Sequence, residues 1–337
     1  MKVVITGGAG FIGSHTAVQL VNDGYVPIIL DDFSNSSVNV IGQIEKIINR
    51  DILFYRVDCN NEKEVSSVFS EHPDIVGVIH FAAFKAVGES VEEPEKYYHN
   101  NLGSLNAILK VMAKFKVPKL VFSSSCTVYG IPDEIPVGEN APIKEPTNPY
   151  GHTKQLGEAI LTSNCKFNKD LEVVLLRYFN PIGAHPSGLI GELPKGVPSN
   201  LIPFLTQTAA GWRQELTVYG SDYDTPDGTC IRDYIHVMDV AEAHIKAFRW
   251  ENKSGNIDIF NIGTGRGSSV KDVIDAFETE SNLKLPIKWG ERREGDVPAI
   301  FADTNKAKTV LGWEPKLTIS EALLSAWNWQ KTLNKPE

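Results

Sequence analysis

A β-branched run, KVVIT at residues 2–6, leads directly into GGAGFIGSH at 7–15. Gly7, Gly10 and Gly13 stand three apart, and Gly8, Gly10 and Gly13 satisfy G-x-G-x-x-G. The spacing FIGSHTAVQLVNDG (11–24) predicts a helix ending at Gly24. A strand that turns on glycines into a helix is the first half of a βαβ unit. The glycines permit a tight turn and close approach of the backbone to a pyrophosphate. The helix start presents free N–H groups and the positive end of its dipole to that anion.

The alternation continues. VPIIL (26–30), ILFYRV (52–57), IVGVIHF (75–81), KLVFSS (119–124) and LEVVLLRYF (171–179) read as further strands, separated by helical stretches. Runs apolar on both faces fit strands covered by helices on both sides. Right-handed crossovers then predict a doubly wound parallel α/β sheet, a Rossmann fold. After Phe179, NPIGAHPSGLIGELPKGVPSN (180–200) is rich in Gly and Pro and reads as a long functional loop. Shorter elements follow: NLIPFLTQTAAG as helix, LTVYG as strand, 236–250 as helix and IFNIG (259–263) as strand. The expected division is 1–180 and a smaller α/β unit, 181–337, with 234–264 returning to the main sheet.

With 337 residues, 42% of them hydrophobic, the chain can bury a large core without staples. Its net charge of −9 excludes the basic footprint of a nucleic-acid binder. Cys59, Cys126, Cys165 and Cys230 form no CxxC pair, and no His cluster has metal spacing, so a reducing cytoplasm and no metal are expected. No segment has the length and apolarity of a membrane span.

Asp31 closes the second strand, roughly 20 residues beyond the glycine turn. There its carboxylate can accept from an adenosine ribose and would repel a 2′-phosphate, which predicts NAD over NADP. Asp58, at the next strand end, can meet the adenine amino group.

NPYGHTK (148–154) sets Tyr150 four residues before Lys154. On a helix begun by Asn148 and Pro149 the two side chains are neighbours. A free tyrosine, with pKa ~10, is only about one-thousandth phenolate at pH 7. A nearby ammonium would favour the anion. SSSCTVYG (123–130) follows the fifth strand and brings Ser123, Ser124 and Ser125 to the strand ends, where the ligand crevice of such a sheet lies. Ser125 is chosen as the hydroxyl sharing a proton with substrate and Tyr150. Alone, each motif is weak: a flexible turn, a solvated lysine beside a tyrosine, a serine cap.

Together they resemble the extended, sugar-nucleotide branch of the short-chain dehydrogenase/reductase superfamily over nearly the whole chain. FAAFKAVGESVEEP (81–94), YYHNN (97–101), RYFNPIGAHPSGLIGE (177–192), DGTCIRDYIHVMDVA (227–241) and REGDVPA (293–299) narrow the resemblance to the UDP-hexose 4-epimerase family of the galactose pathway. That resemblance implies an isomerase that interconverts UDP-glucose and UDP-galactose through transient oxidation at the sugar C4, with NAD tightly bound and a homodimeric assembly. Tyr150, Ser125 and Lys154 become the catalytic residues. The implied cofactor set adds Phe11, Ile12, Asp32, Phe33, Asn35, Ser36, Cys59, Phe81, Ala82, Ala83, Lys85, Asn100 and Phe179 to the glycines, Asp31 and Asp58. For the UDP-sugar it implies Lys85, Asn180, Asn200, Leu201, Thr217, Tyr219, Arg232, Arg293, Asp296 and Ile300. Ile300 stands where strict hexose epimerases often carry a bulky tyrosine, so some activity on UDP-N-acetylhexosamines is expected. His185 and His236 read as structural.

Two other functions remain open. A sugar-nucleotide 4,6-dehydratase shares the fold, the cofactor and Y-x-x-x-K. Elimination needs an acid and a base, usually an Asp–Glu pair, where this chain has Cys126 and Thr127. A non-catalytic NAD-binding protein would have no need to keep Tyr150, Lys154 and the serine together.

Overall fold

The computed structural model describes residues 1–251, 255–293 and 296–335. Among these, one seven-stranded parallel sheet occupies the centre: β1 (Lys2–Thr6), β2 (Val26–Asp31), β3 (Leu53–Arg56), β4 (Ile75–His80), β5 (Lys119–Ser125), β6 (Glu172–Tyr178) and a seventh strand, Ile257–Ile262. The spatial order is β3, β2, β1, β4, β5, β6 and then the seventh strand. The chain winds outward from β1 in one direction, then starts again at β4 in the other. The crevice between the carboxyl ends of β1 and β4 is therefore the topological switch point, where ligands of such sheets bind.

Alternate residues feed opposite cores. Val3, Ile5, Ile29, Ile79, Val121 and Leu176 pack on one face. Val4, Ile28, Leu30, Val78, Leu120 and Leu175 pack on the other. Both sets are covered by helices, which is why the strands read as continuous apolar runs. Helix α1 (Phe11–Asn22) covers the first face with the helix Val237–Arg249, and the long helix Pro94–Phe115 covers the second with Pro149–Phe167.

The seventh strand runs parallel to β6, with Phe260 opposite Leu176, and so carries late sequence back to the main sheet. The stretch 180–200 holds more order than its composition suggests. Asn180–Ile182 pairs in parallel with Tyr234–His236, and Ala184 bridges Gly191. Pairings of three residues and one are too short to leave a period in the sequence. A third core, built from elements after β6, joins Ile182, Ile202, Leu205, Val218, Phe277 and Leu323. A fourth, smaller cluster unites Cys126, Val128, Tyr129, Phe179 and Ile300.

Candidate active site

The turn after β1 obeys its glycines. Gly7 sits at φ +66°, and the Gly10 N–H donates to its carbonyl at 3.1 Å. A Cβ at Gly13 would lie 2.4 Å from the same carbonyl oxygen, and one at Gly7 would lie 2.9 Å from the Ala82 nitrogen. Only glycine lets α1 and the β4 exit approach this closely. No side chain caps the first turn of α1 and no acid lies in it, so its N–H groups face an open cradle fit for an anion.

Asp31 is 7% exposed. Its carboxylate accepts from the Ala9 N–H at 2.9 Å, the Phe33 N–H at 2.9 Å and the Ser36 hydroxyl at 2.7 Å. Burial pushes the carboxyl above its usual range, and these donors pull it back. The acid thus ties the end of β2 to the glycine turn. Asp32 is exposed and holds Ser34, Asn35 is exposed, and Phe33 turns the chain at φ +61°. Lys195, from the 180–200 stretch, reaches across to donate to the carbonyls of Phe33 and Ser34 at 2.9 and 2.6 Å. Asp58 is exposed beyond β3 and accepts from Asn60, while Cys59 behind it is buried. Phe81, Ala82 and Ala83 follow β4, half-buried, and the Ala82 N–H donates to Thr6 Oγ1.

The helix Pro149–Phe167 begins where expected, with the Asn148 side chain accepting from the Gly151 N–H at 2.8 Å. Tyr150 and Lys154 lie one turn apart, the Lys154 ammonium 5.9 Å from the Tyr150 ring centre. Ser125, buried at the end of β5, accepts from the Thr127 N–H at 3.2 Å and lies close enough to Tyr150 to act on its ionisation. The three residues named as catalytic therefore converge at the strand ends.

Their electrostatics require one correction. The lysine was expected to lower the tyrosine pKa. Instead, burial pushes Tyr150 up to about 12, with Ser125 opposing that rise. Lys154 is itself lowered to about 8 by burial, with Glu158 opposing that fall. Its ammonium donates to the Ser123 carbonyl at 2.6 Å rather than to the phenol. Desolvation is the largest cause for both groups, and residue spacing does not report it.

Several residues that the motifs did not single out hold this arrangement. Glu158 continues the helical row Tyr150, Lys154, and its carboxylate accepts from Arg177 at 2.9 and 2.6 Å and from Ser124 at 2.5 Å. That buried pair fastens the helix to β5 and β6. Asn101, rather than its neighbour Asn100, accepts from the Phe84 N–H at 2.8 Å and donates to Phe84 O and Thr153 Oγ1, each at 3.0 Å. It splices the FAAFK segment to the Tyr150 helix. Asn100 donates to Asn101 and accepts from Asn60. The Thr127 hydroxyl oxygen is buried with no partner among the described residues, beside the site. The Glu158 signal was present as Y-x-x-x-K-x-x-x-E; the others had none short of the fold.

The residues expected to bind a nucleotide sugar fall into several local contacts. Arg232 contacts Asp296 at 3.3 Å and donates to the Val297 carbonyl at 2.7 Å. The Arg293 guanidinium lies 4.0 Å from the Tyr219 ring centre, and Tyr219 shares the strand Leu216–Tyr219 with Thr217. Lys85 and Asn200 both donate to Glu192, at 2.7 and 2.8 Å. Leu201 opens the helix Leu201–Ala209 and packs on the third core, and Asn180 pairs with Tyr234. Phe179 and Ile300 line the fourth cluster with Cys126. Within REGDVPA, residues 294 and 295 lie outside the described residues. His236 caps its helix by accepting from the Met238 N–H, and His185 accepts from the Ser187 N–H. Among the described residues no group of His, Cys, Asp and Glu is placed to hold a metal, and no helix is long and apolar enough to cross a membrane.

A family model described as GDP-mannose 4,6 dehydratase matches residues 4–325. UDP-glucose 4-epimerase of Bacillus subtilis (strain 168) is 48% identical over 332 residues, covering 98% of this chain and 97% of that one. The chain belongs to the UDP-glucose 4-epimerase family. The epimerase of Bifidobacterium longum, solved in complex with NAD+ and UDP, superposes with a TM-score of 0.95 at 46% identity, over 98% of each chain. The epimerase of Stenotrophomonas maltophila, solved with NAD and formylated UDP-arabinopyranose, gives 0.95 at 42% identity, over 98% of each. The Rossmann architecture expected from the sequence is thus that of the epimerase family.

Proposed function

We propose that this chain interconverts UDP-glucose and UDP-galactose as an NAD-dependent 4-epimerase. The observation that carries the reading is the convergence of Tyr150, Ser125 and Lys154 at the strand ends beside an open glycine cradle. The cradle fits a dinucleotide: Gly7, Gly10 and Gly13 for the pyrophosphate, with Phe11 and Ile12 at the helix start, and Asp31 for the adenosine ribose. Bound NAD supplies a hydride acceptor, then donor, at the sugar C4. Tyr150 takes the proton from the 4-hydroxyl, with Ser125 in the hydrogen-bond path, and returns it after the 4-keto sugar has turned over. Lys154 holds positive charge beside the phenol and meets the nicotinamide ribose. Arg232 and Arg293 take the substrate diphosphate, Asp296 the uridine ribose, and Tyr219 packs near the uracil. Holding all groups in one geometry lets proton and hydride leave together.

Elimination, as in a dehydratase, is disfavoured by the residues that follow Ser125. Burial pushes the Cys126 thiol up to about 12, and Thr127 offers only a hydroxyl. Neither can serve as the carboxylic acid that loss of water requires. Ile300, 5% exposed in the cluster with Phe179 and Cys126, supports additional turnover of UDP-N-acetylglucosamine, since a side chain smaller than tyrosine leaves room beside the sugar. A cytoplasmic homodimer completes the reading; the four unpaired, buried cysteines support a reducing compartment. The test is a coupled assay of UDP-glucose formed from UDP-galactose without added NAD. Wild type should be active and Tyr150→Phe should fall at least about a hundred-fold, the scale of general acid–base catalysis. Retained activity in that variant, or isotope at C4 washing into solvent, would remove the mechanism.

A further inference from the structure

Two donors assigned to the ligands, one cationic and one an amide, are not idle. Lys85 and Asn200 are far apart in sequence, yet both donate to one oxygen, Glu192 Oε1. The partners differ in freedom. The Glu192 side chain is 11% exposed and the Lys85 side chain 51%. The Glu192 backbone is also fixed: its carbonyl accepts from Trp329 Nε1 at 3.3 Å, and Gly191 before it bridges Ala184. A Cβ on Gly191 would fall 2.4 Å from the Trp329 ring, so this segment is pressed against the helix Ile319–Thr332. The acid is the anchored member and the lysine the one able to swing.

We propose that Glu192 is a resident counter-ion that occupies Lys85 and Asn200 until a nucleoside diphosphate claims them. This rests on the places given above to Lys85 among the cofactor and UDP-sugar residues and to Asn200 among the UDP-sugar residues; an ammonium and a side-chain amide are donors that diphosphate oxygens can take. A dianionic diphosphate arriving beside a fixed carboxylate is repelled by it and must also take Lys85 from it. The acid therefore weakens ligand retention and favours release, which a reversible isomerase requires at every turnover. The diphosphate could be that of the nucleotide sugar or that of the dinucleotide, and the two are distinguishable by experiment.

Glu192→Gln keeps the shape and the acceptor oxygen and removes only the charge. Titration calorimetry of UDP against the NAD-loaded protein should show affinity tightened about three- to ten-fold, the scale of a half-exposed ion pair. If the dinucleotide is the ligand concerned, the UDP affinity will stay level and release of NAD into cofactor-free buffer will slow by a similar factor. In a Lys85→Met background the gain should shrink, since the contested ammonium is gone. Unchanged or weaker binding of both ligands in Glu192→Gln would overturn the proposal and make the acid a support for Lys85. Wild-type protein that neither binds UDP nor epimerises would instead remove the functional reading, leaving the hydrogen bonds of Glu192 as structure alone.

Discussion

Tyr150 shows how far residue chemistry depends on its surroundings. Spacing alone placed a lysine beside it and led to the expectation of an acidified phenol. Burial reverses the sign: the phenol is pushed up to about 12 and the lysine down to about 8. A phenol so raised is a poor base at neutral pH, and a cationic nicotinamide ring is the charge able to bring it down. The prediction is a difference titration of phenolate absorbance, wild type minus Tyr150→Phe. In protein stripped of cofactor, Tyr150 should remain un-ionised through pH 10. With NAD bound, ionisation should begin at lower pH. An ordinary tyrosine titration near pH 10 in the stripped protein would contradict the role given to burial.

At the scale of elements, the helix Pro149–Phe167 must meet β5 and β6 in one register for the site to exist. The buried Glu158–Arg177 pair, bonded also to Ser124, provides that register. Paired buried charges add little net stability over apolar packing, but removing one partner strands the other. Glu158→Ala should therefore lower unfolding free energy by about 3–5 kcal/mol, measured by urea denaturation. It should also lower the Lys154 pKa further, because Glu158 is the charge that opposes its fall. A loss below about 1 kcal/mol, the size of a surface pair, would mean the carboxylate is not bearing the buried guanidinium.

The whole molecule gathers its site from distant sequence. Lys85 and Asn200 meet at Glu192, Arg232 meets Asp296, and the seventh strand of the sheet is supplied by Ile257–Ile262. The homodimer proposed above belongs to this scale. Light scattering of the NAD-loaded protein should return twice the chain mass at micromolar concentration, and a monomer mass would remove dimerisation from the reading.

The strands of the doubly wound sheet, the glycine turn, the acid at the end of β2 and the Tyr150–Lys154 pair were all legible in the sequence. Each is encoded by neighbours: apolar runs buried on two faces, glycines where a Cβ has no space, and side chains one helical turn apart. The short pairings of 180–200, the splice made by Asn101, the partnership of Glu192 with Lys85 and Asn200, and the direction in which Tyr150 and Lys154 titrate were decided only by the tertiary structure. Those properties arise from burial and from contacts between residues as much as 107 positions apart. Local periodicity carries information about faces and turns, but none about which distant groups share a desolvated space.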